Sequence, residues 1–172
     1  MSLFNTFNFE SSGNTEHDVQ LNDSTEIIES IHYLSGAALR KIKIYTPNLE
    51  YSIYANDIFK QKPLSFVRGN RHAQIKILSA ETSAVLQRGH QLIPLTQRLP
   101  SSIQIRLTPE EYQIPNISFF IIDQSDFIYK SNYTKQSALL SKCKQRTNKL
   151  IIFFNLCWIQ ATQDPHSKII RI

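Results

Sequence analysis

Pro115-Asn116-Ile117-Ser118-Phe119-Phe120-Ile121-Ile122-Asp123 is the stretch that decides the fold. Residues 117–122 are apolar apart from Ser118, which predicts a strand covered on both faces and stopped by the carboxylate of Asp123. Asp126-Phe127-Ile128-Tyr129-Lys130 follows across a tight turn and predicts its antiparallel partner. Further upstream, Lys41-Ile42-Lys43-Ile44-Tyr45, closed by Thr46-Pro47, alternates with period two. The segments from Ala73 to Ser79 and from Ser102 to Leu107 read as two more strands.

Helices fall between these strands. Asp23 and Glu26 have capping-box spacing ahead of Ile27, Ile28, Ile31 and Leu34, which predicts a helix over 24–38. A second, opened by Asn56-Asp57, reaches about Arg68 with a kink or break at Pro63. A third runs from Glu81 to Leu99, weakened at Gly89 and Pro94. Residues 131–146 are polar and basic. Thr147 then caps a last, buried helix to about Thr162, and Lys168-Ile169-Ile170-Arg171 adds an edge strand. Strand–helix alternation with a late hairpin gives an α/β class: a mixed β-sheet flanked by helices over 23–172, behind a disordered acidic leader, 1–22.

Composition excludes several chemistries. With 4 glycines, neither G-x-x-x-x-G-K-[ST] nor G-x-G-x-x-G occurs, and no G-x-S-x-G nucleophile elbow is present. Cys143 and Cys157 are too far apart for C-x-x-C and have no histidine at ligand spacing, so neither metal nor cofactor is expected. The thiols suit a reducing cytoplasm, and the most apolar run, Leu150 to Ile159, is about half of what a bilayer requires. Charge is polarised. Residues 1–30 hold 6 acids and no lysine or arginine; all 19 basic residues follow, beside the remaining 8 of the 14 acids. A body of about +11 behind a leader of −6 suits an anionic partner.

Three groups of segments carry a family resemblance. They are Ile42-Lys43-Ile44-Tyr45-Thr46; Val85-Leu86-Gln87-Arg88-Gly89-His90-Gln91-Leu92 with Leu99-Pro100-Ser101-Ser102-Ile103-Gln104-Ile105-Arg106; and Phe153-Phe154-Asn155-Leu156-Cys157-Trp158 followed by Asp164-Pro165-His166. Over about 38–172 the chain resembles a small bacterial family of uncharacterised domains similar to phospholipase D-like halves, sometimes found beside acetyltransferase domains. The resemblance implies a single phospholipase D-like half domain in which the strand at 115–123 would carry H-x-K-x-x-x-x-D. Here Asn116 stands at the histidine position and Ser118 at the lysine position, while Asp123 remains. An amide neither attacks phosphorus nor exchanges a proton near neutral pH, and a hydroxyl does not replace an ammonium. The expectation is a pseudoenzyme without a catalytic residue, and a pairing of two copies would only double an empty site. The resemblance further implies a protein partner, an acetyltransferase by analogy, and a homodimer.

The alternative partner is nucleic acid or another polyanion. Lys130, Lys135, Lys142, Lys144, Arg146 and Lys149 follow one another with no acid between, beside Tyr129 and Tyr133: cations for phosphates, aromatics for bases. Arg68, Arg71 and His72 form a second basic group ahead of a strand. Arg88 and His90, on the predicted third helix, are the candidates for a different hydrolase chemistry.

Overall fold

A computed structural model describes residues 9, 18–55, 57–82 and 92–164, the side chains of 57–60, 62 and 63 excepted. In chain order the elements are β1 (Asp18–Leu21), α1 (Ser24–Ala37), β2 (Lys41–Thr46), α2 (Tyr51–Tyr54), α3 (Asp57–Gly69), β3 (Gln74–Ser79), α4 (Leu92–Arg98), β4 (Ile103–Leu107), β5 (Ser118–Ile122), β6 (Asp126–Lys130), β7 (Ala138–Ser141), α5 (Lys144–Gln160) and β8 (Thr162–Gln163). The strands form one sheet in the order β1-β7-β6-β5-β2-β3-β4-β8. Strands β2, β3 and β4 are mutually parallel; every other pairing is antiparallel, so the sheet is mixed, as expected. The decisive strand lies between β2 and β6, and Ser118 to Ile122 are all buried.

Local chemistry explains most elements. The Asp23 carboxylate accepts from the Glu26 N–H at 2.9 Å, and Glu26 accepts from the Asn22 N–H at 2.7 Å, a reciprocal cap for α1. The third strand expected from alternation, β4, and the hairpin β5–β6 are present in register. Helix α3 runs through position 63 to Gly69. Glu81 and Thr82 are not helical; α4 is helical at Leu92–Arg98, and residues 83–91 lie outside the described residues.

Three readings of the sequence change. Residues 18–21, assigned to the disordered leader, pair with β7 as an edge strand, and Phe9 is buried against Phe127 and Tyr129. That strand has no partner within the leader, so its own polar sequence gave no sign of it. β7 itself, Ala138-Leu139-Leu140-Ser141, lies inside the stretch taken as polar and basic. Helix α5 starts at Lys144, not at Thr147. The Thr147 hydroxyl donates back to the Cys143 carbonyl at 3.0 Å from within the first turn, a bond a helical threonine makes as readily as a capping one. The strand expected at 168–171 lies outside the described residues.

Two apolar clusters sandwich the sheet. On one face Ile42, Ile44, Ile75, Ile77, Ile103, Ile105 and Phe120 meet α1, α2, α3 and α4. On the other, Tyr45, Phe119, Ile121, Phe127 and Tyr129 meet Leu150, Phe153, Phe154, Cys157 and Trp158 of α5. That i, i+3, i+4, i+7, i+8 spacing buries one stripe only. The helix expected to be buried throughout leaves Ile152, Leu156 and Ile159 exposed, Ile159 at 76%.

Candidate functional site

Ser118 opens β5 and faces Lys130, the last residue of β6, across the sheet. The position expected to lack a lysine therefore has one directly opposite. Its ammonium is not available: Lys130 is 6% exposed, donates to Glu50 Oε2 at 2.6 Å, and donates again to the Tyr133 carbonyl at 2.8 Å. The Tyr133 N–H in turn donates to the Asn116 carbonyl at 2.6 Å. One chain of hydrogen bonds thus runs from Asn116 through Tyr133 and Lys130 to Glu50. Two residues in the left-handed region, Leu49 at φ 57° and Asn116 at φ 68°, hold its two ends, a conformation that costs free energy in a residue with a Cβ. The space left between Ser118, Lys130, Tyr54 and the α1 isoleucines is about 10 Å³, enough for at most one water. Burial, and then the Glu50 carboxylate, push the Tyr54 phenol well above its ordinary range, so it stays protonated.

Asp123 does not join this group. It follows the far end of β5, roughly 17 Å along the strand from Ser118. Its carboxylate accepts from the backbone N–H groups of Leu39, Arg40 and Lys41 at 2.8, 2.8 and 2.9 Å, and its own N–H donates to the Lys41 carbonyl at 2.7 Å. At φ 48° it closes the β5–β6 turn while fixing the entry to β2. Its role is to brace the strand ends.

The basic residues singled out in sequence are scattered. Arg146 is buried and donates to Asp18 at 2.7 Å while lying over the Phe9 ring, so the start of the chain covers it. Lys142 sits 3.6 Å from Asp126. Lys135, Lys144 and Lys149 are exposed. Arg68, Arg71 and His72 are exposed around the turn into β3, with Arg71 Nε donating to His72 Nε2 at 3.1 Å. Arg88 and His90 lie outside the described residues. Among the described residues no three His, Cys, Asp or Glu side chains are grouped to hold a metal ion, and no helix is long and apolar enough to cross a membrane.

A denser cationic group was missed. Lys43 and Lys76 are register partners on β2 and β3, Lys41 lies two residues before Lys43 opposite Gln74, and Arg106 follows on β4, all on the face that carries α5. Lys43 Nζ donates to Asn155 Oδ1 at 2.8 Å and lies over Phe154; Lys76 and Arg106 lie over Trp158, and Arg106 donates to the Trp158 carbonyl at 2.8 Å. Burial, with Lys41 and Lys76 adding repulsion, lowers the Lys43 ammonium to about 8. Lys76 is lowered for the same reasons, burial first, then Lys41 and Arg106. The sequence carried a signal. Parallel strands buried on both faces read as continuous apolar runs, whereas I-K-I at 42–44, I-K-I at 75–77 and I-Q-I-R at 103–106 alternate. Alternation in parallel strands marks a sheet face that helices leave partly open.

Solved structures share this architecture. TrmBL2, an archaeal chromatin protein described with a novel mode of DNA binding, matches with TM-score 0.64 and 13% identity over 88% of this chain. The match spans 54% of that chain, about half its length. NucT from Helicobacter pylori matches with TM-score 0.62 and 12% identity over 86% of this chain and 98% of its own. Nuc from Salmonella typhimurium, a phospholipase D family member, gives 0.57 and 12% over 86% and 98%. At these identities the likeness speaks for the fold alone: the eight-stranded sheet with its helices is phospholipase D-like. No curated protein matches the sequence. The family described as "Domain of unknown function (DUF7931)" matches residues 23–170.

Proposed function

The chain belongs to the DUF7931 family, and from that premise we propose that it is a non-catalytic phospholipase D-like binding module whose partner is a nucleic acid. The observation that carries the first half is the Lys130–Glu50 pair facing Ser118. An ammonium locked to a carboxylate has lost its value for a developing phosphorane charge. The cavity beside it, of about 10 Å³, is lined by no histidine and holds at most one water. The resemblance would put the phosphodiester beside Ser118, and a buried ion pair stands there in this chain.

Support for the second half is electrostatic. The body is strongly cationic, and among the described residues Lys41, Lys43 and Lys76 share one sheet face. A relative in fold, TrmBL2, is described as binding DNA. Two measurements test the proposal. Purified protein is expected to leave bis(p-nitrophenyl) phosphate and labelled DNA uncut; turnover that disappears in Lys130→Met overturns the non-catalytic reading. Fluorescence anisotropy with a labelled oligonucleotide is expected to show binding that weakens steeply between about 50 and 200 mM salt. Absence of binding at the lower salt removes nucleic acid as the partner.

A further inference from the structure

We infer that the pocket between the first halves of β2 and β3 and helix α5 takes a backbone phosphate of that nucleic acid; this rests on the proposed binding function and names its site. The pocket, of about 140 Å³, is lined by Lys41, Lys43 and Lys76 together with the amide side chains of Gln74 and Asn155. It is polar and large enough to exchange several waters for a tetrahedral oxyanion. Its carboxylate, Asp123, already accepts from three backbone N–H groups. Three lysines thus line one pocket with a single anion, whose carboxylate already accepts three backbone hydrogen bonds. Lys43 is 9% exposed and spends one of its three N–H donors on Asn155, which leaves donors for a ligand. Folding this cluster together is unfavourable until an anion enters, and a phosphate would relieve the repulsion among all three lysines.

Position supports the same conclusion. The pocket lies at the end of the sheet where β2 and β3 begin and β5 ends, on the α5 face. Ser118, Lys130 and Glu50 lie at the other end of β5, and Lys130 meets Ser118 on the opposite face, so this is not the edge used for catalysis in the resemblance. Arg71 and His72 precede β3 at the pocket's end of the sheet, and Arg106 extends the cations across β4 towards Trp158.

The test uses the full chain. In anisotropy titrations, Lys43→Met with Lys76→Met is expected to weaken oligonucleotide binding at least about tenfold and to flatten the dependence of log affinity on log salt by about one, the share of one phosphate. Lys144→Met with Lys149→Met is expected to change affinity less than the pocket pair does. Wild-type affinity in the pocket pair, with loss in the Lys144/Lys149 pair, overturns the site and leaves the binding function standing. No oligonucleotide binding by the wild-type chain at low salt overturns both. Nuclear magnetic resonance of the unaltered protein with inorganic phosphate covers the case where a variant misfolds. Amide shifts at Lys41, Lys43, Gln74 and Lys76 are expected, and shifts confined to residues 135–149 overturn the assignment. Binding to phosphatidylserine vesicles without retention of DNA overturns it too.

Discussion

At the scale of single residues, two lysines illustrate opposite fates of a buried ammonium. Lys130 is matched by Glu50 and by a carbonyl, so its charge is neutralised where it stands. Removing one partner leaves the other charge buried, which typically costs about 3–5 kcal/mol. Glu50→Gln and Lys130→Met are each expected to lower stability by an amount of that order in urea denaturation, and the double replacement Glu50→Gln/Lys130→Met by less than the sum of the two. Additive losses would show that the pair is not coupled. Lys43 is hemmed in by like charges. The folded chain holds it at about 8 against an ordinary 10.5, so between those values the unfolded chain binds more protons and stability rises with pH. Burial raises the Cys157 thiol and the Tyr45 phenol to about 12, and their stabilising contributions fade above 9 and 10 respectively. Stability is therefore expected to climb from pH 8 to 9, and the climb should shrink in Lys43→Met; thermal unfolding in matched buffers measures it. Asp123 was recognised in sequence, but as a remnant of chemistry. Its three backbone bonds make it a brace, and Asp123→Asn, which fits φ 48° yet places an NH₂ against donors, is expected to cost about 1–3 kcal/mol.

At the scale of elements, legibility followed locality. Helix α1 carried its own reciprocal cap, and β2, β3 and β4 carried period-two patterns, so each was readable from a few neighbouring residues. Strands β1, β7 and β8 are two to four residues long and exist because a partner from a distant part of the chain supplies the ladder. No local pattern announces such a strand. The β1 segment is held by its pairing with β7, the Asp18–Arg146 bond and Phe9 packed on Phe127 and Tyr129. Deleting residues 1–22 is expected to lower the melting temperature and to expose the β7 edge to aggregation, measured by light scattering during heating. On α5 the two stripes separate cleanly. Phe154→Ala is expected to destabilise by about 3–5 kcal/mol, whereas Ile159→Ala, on the exposed stripe, is expected to stay within about 0.5 kcal/mol.

At the scale of the whole molecule, charge is distributed by burial as well as by sequence. The run of basic residues from Lys130 to Lys149 looked continuous, yet the fold turns Lys130 inward on one face and covers Arg146 with the start of the chain. Cations far apart in sequence, on β2, β3 and β4, come together instead. Linear charge runs therefore overstate one surface and hide another. The consequence for binding is that salt dependence should track the strand lysines. At a salt concentration where wild-type protein is half bound, the Lys43/Lys76 double variant is expected to be mostly free, and gel shift resolves the two.

The sequence by itself determined the α/β class, the buried strand ending at Asp123 and the capped first helix. These are properties of residue type and short-range period, which the chain carries before it folds. Only the tertiary structure decided that Lys130 stands opposite Ser118 and is bound by Glu50, that Asp123 braces a backbone turn, and that three lysines share a pocket under α5. Each depends on strand register and on which face a side chain occupies. A shift of one residue in either strand sends the side chain through the sheet, so such neighbours are fixed only once the whole sheet is assembled.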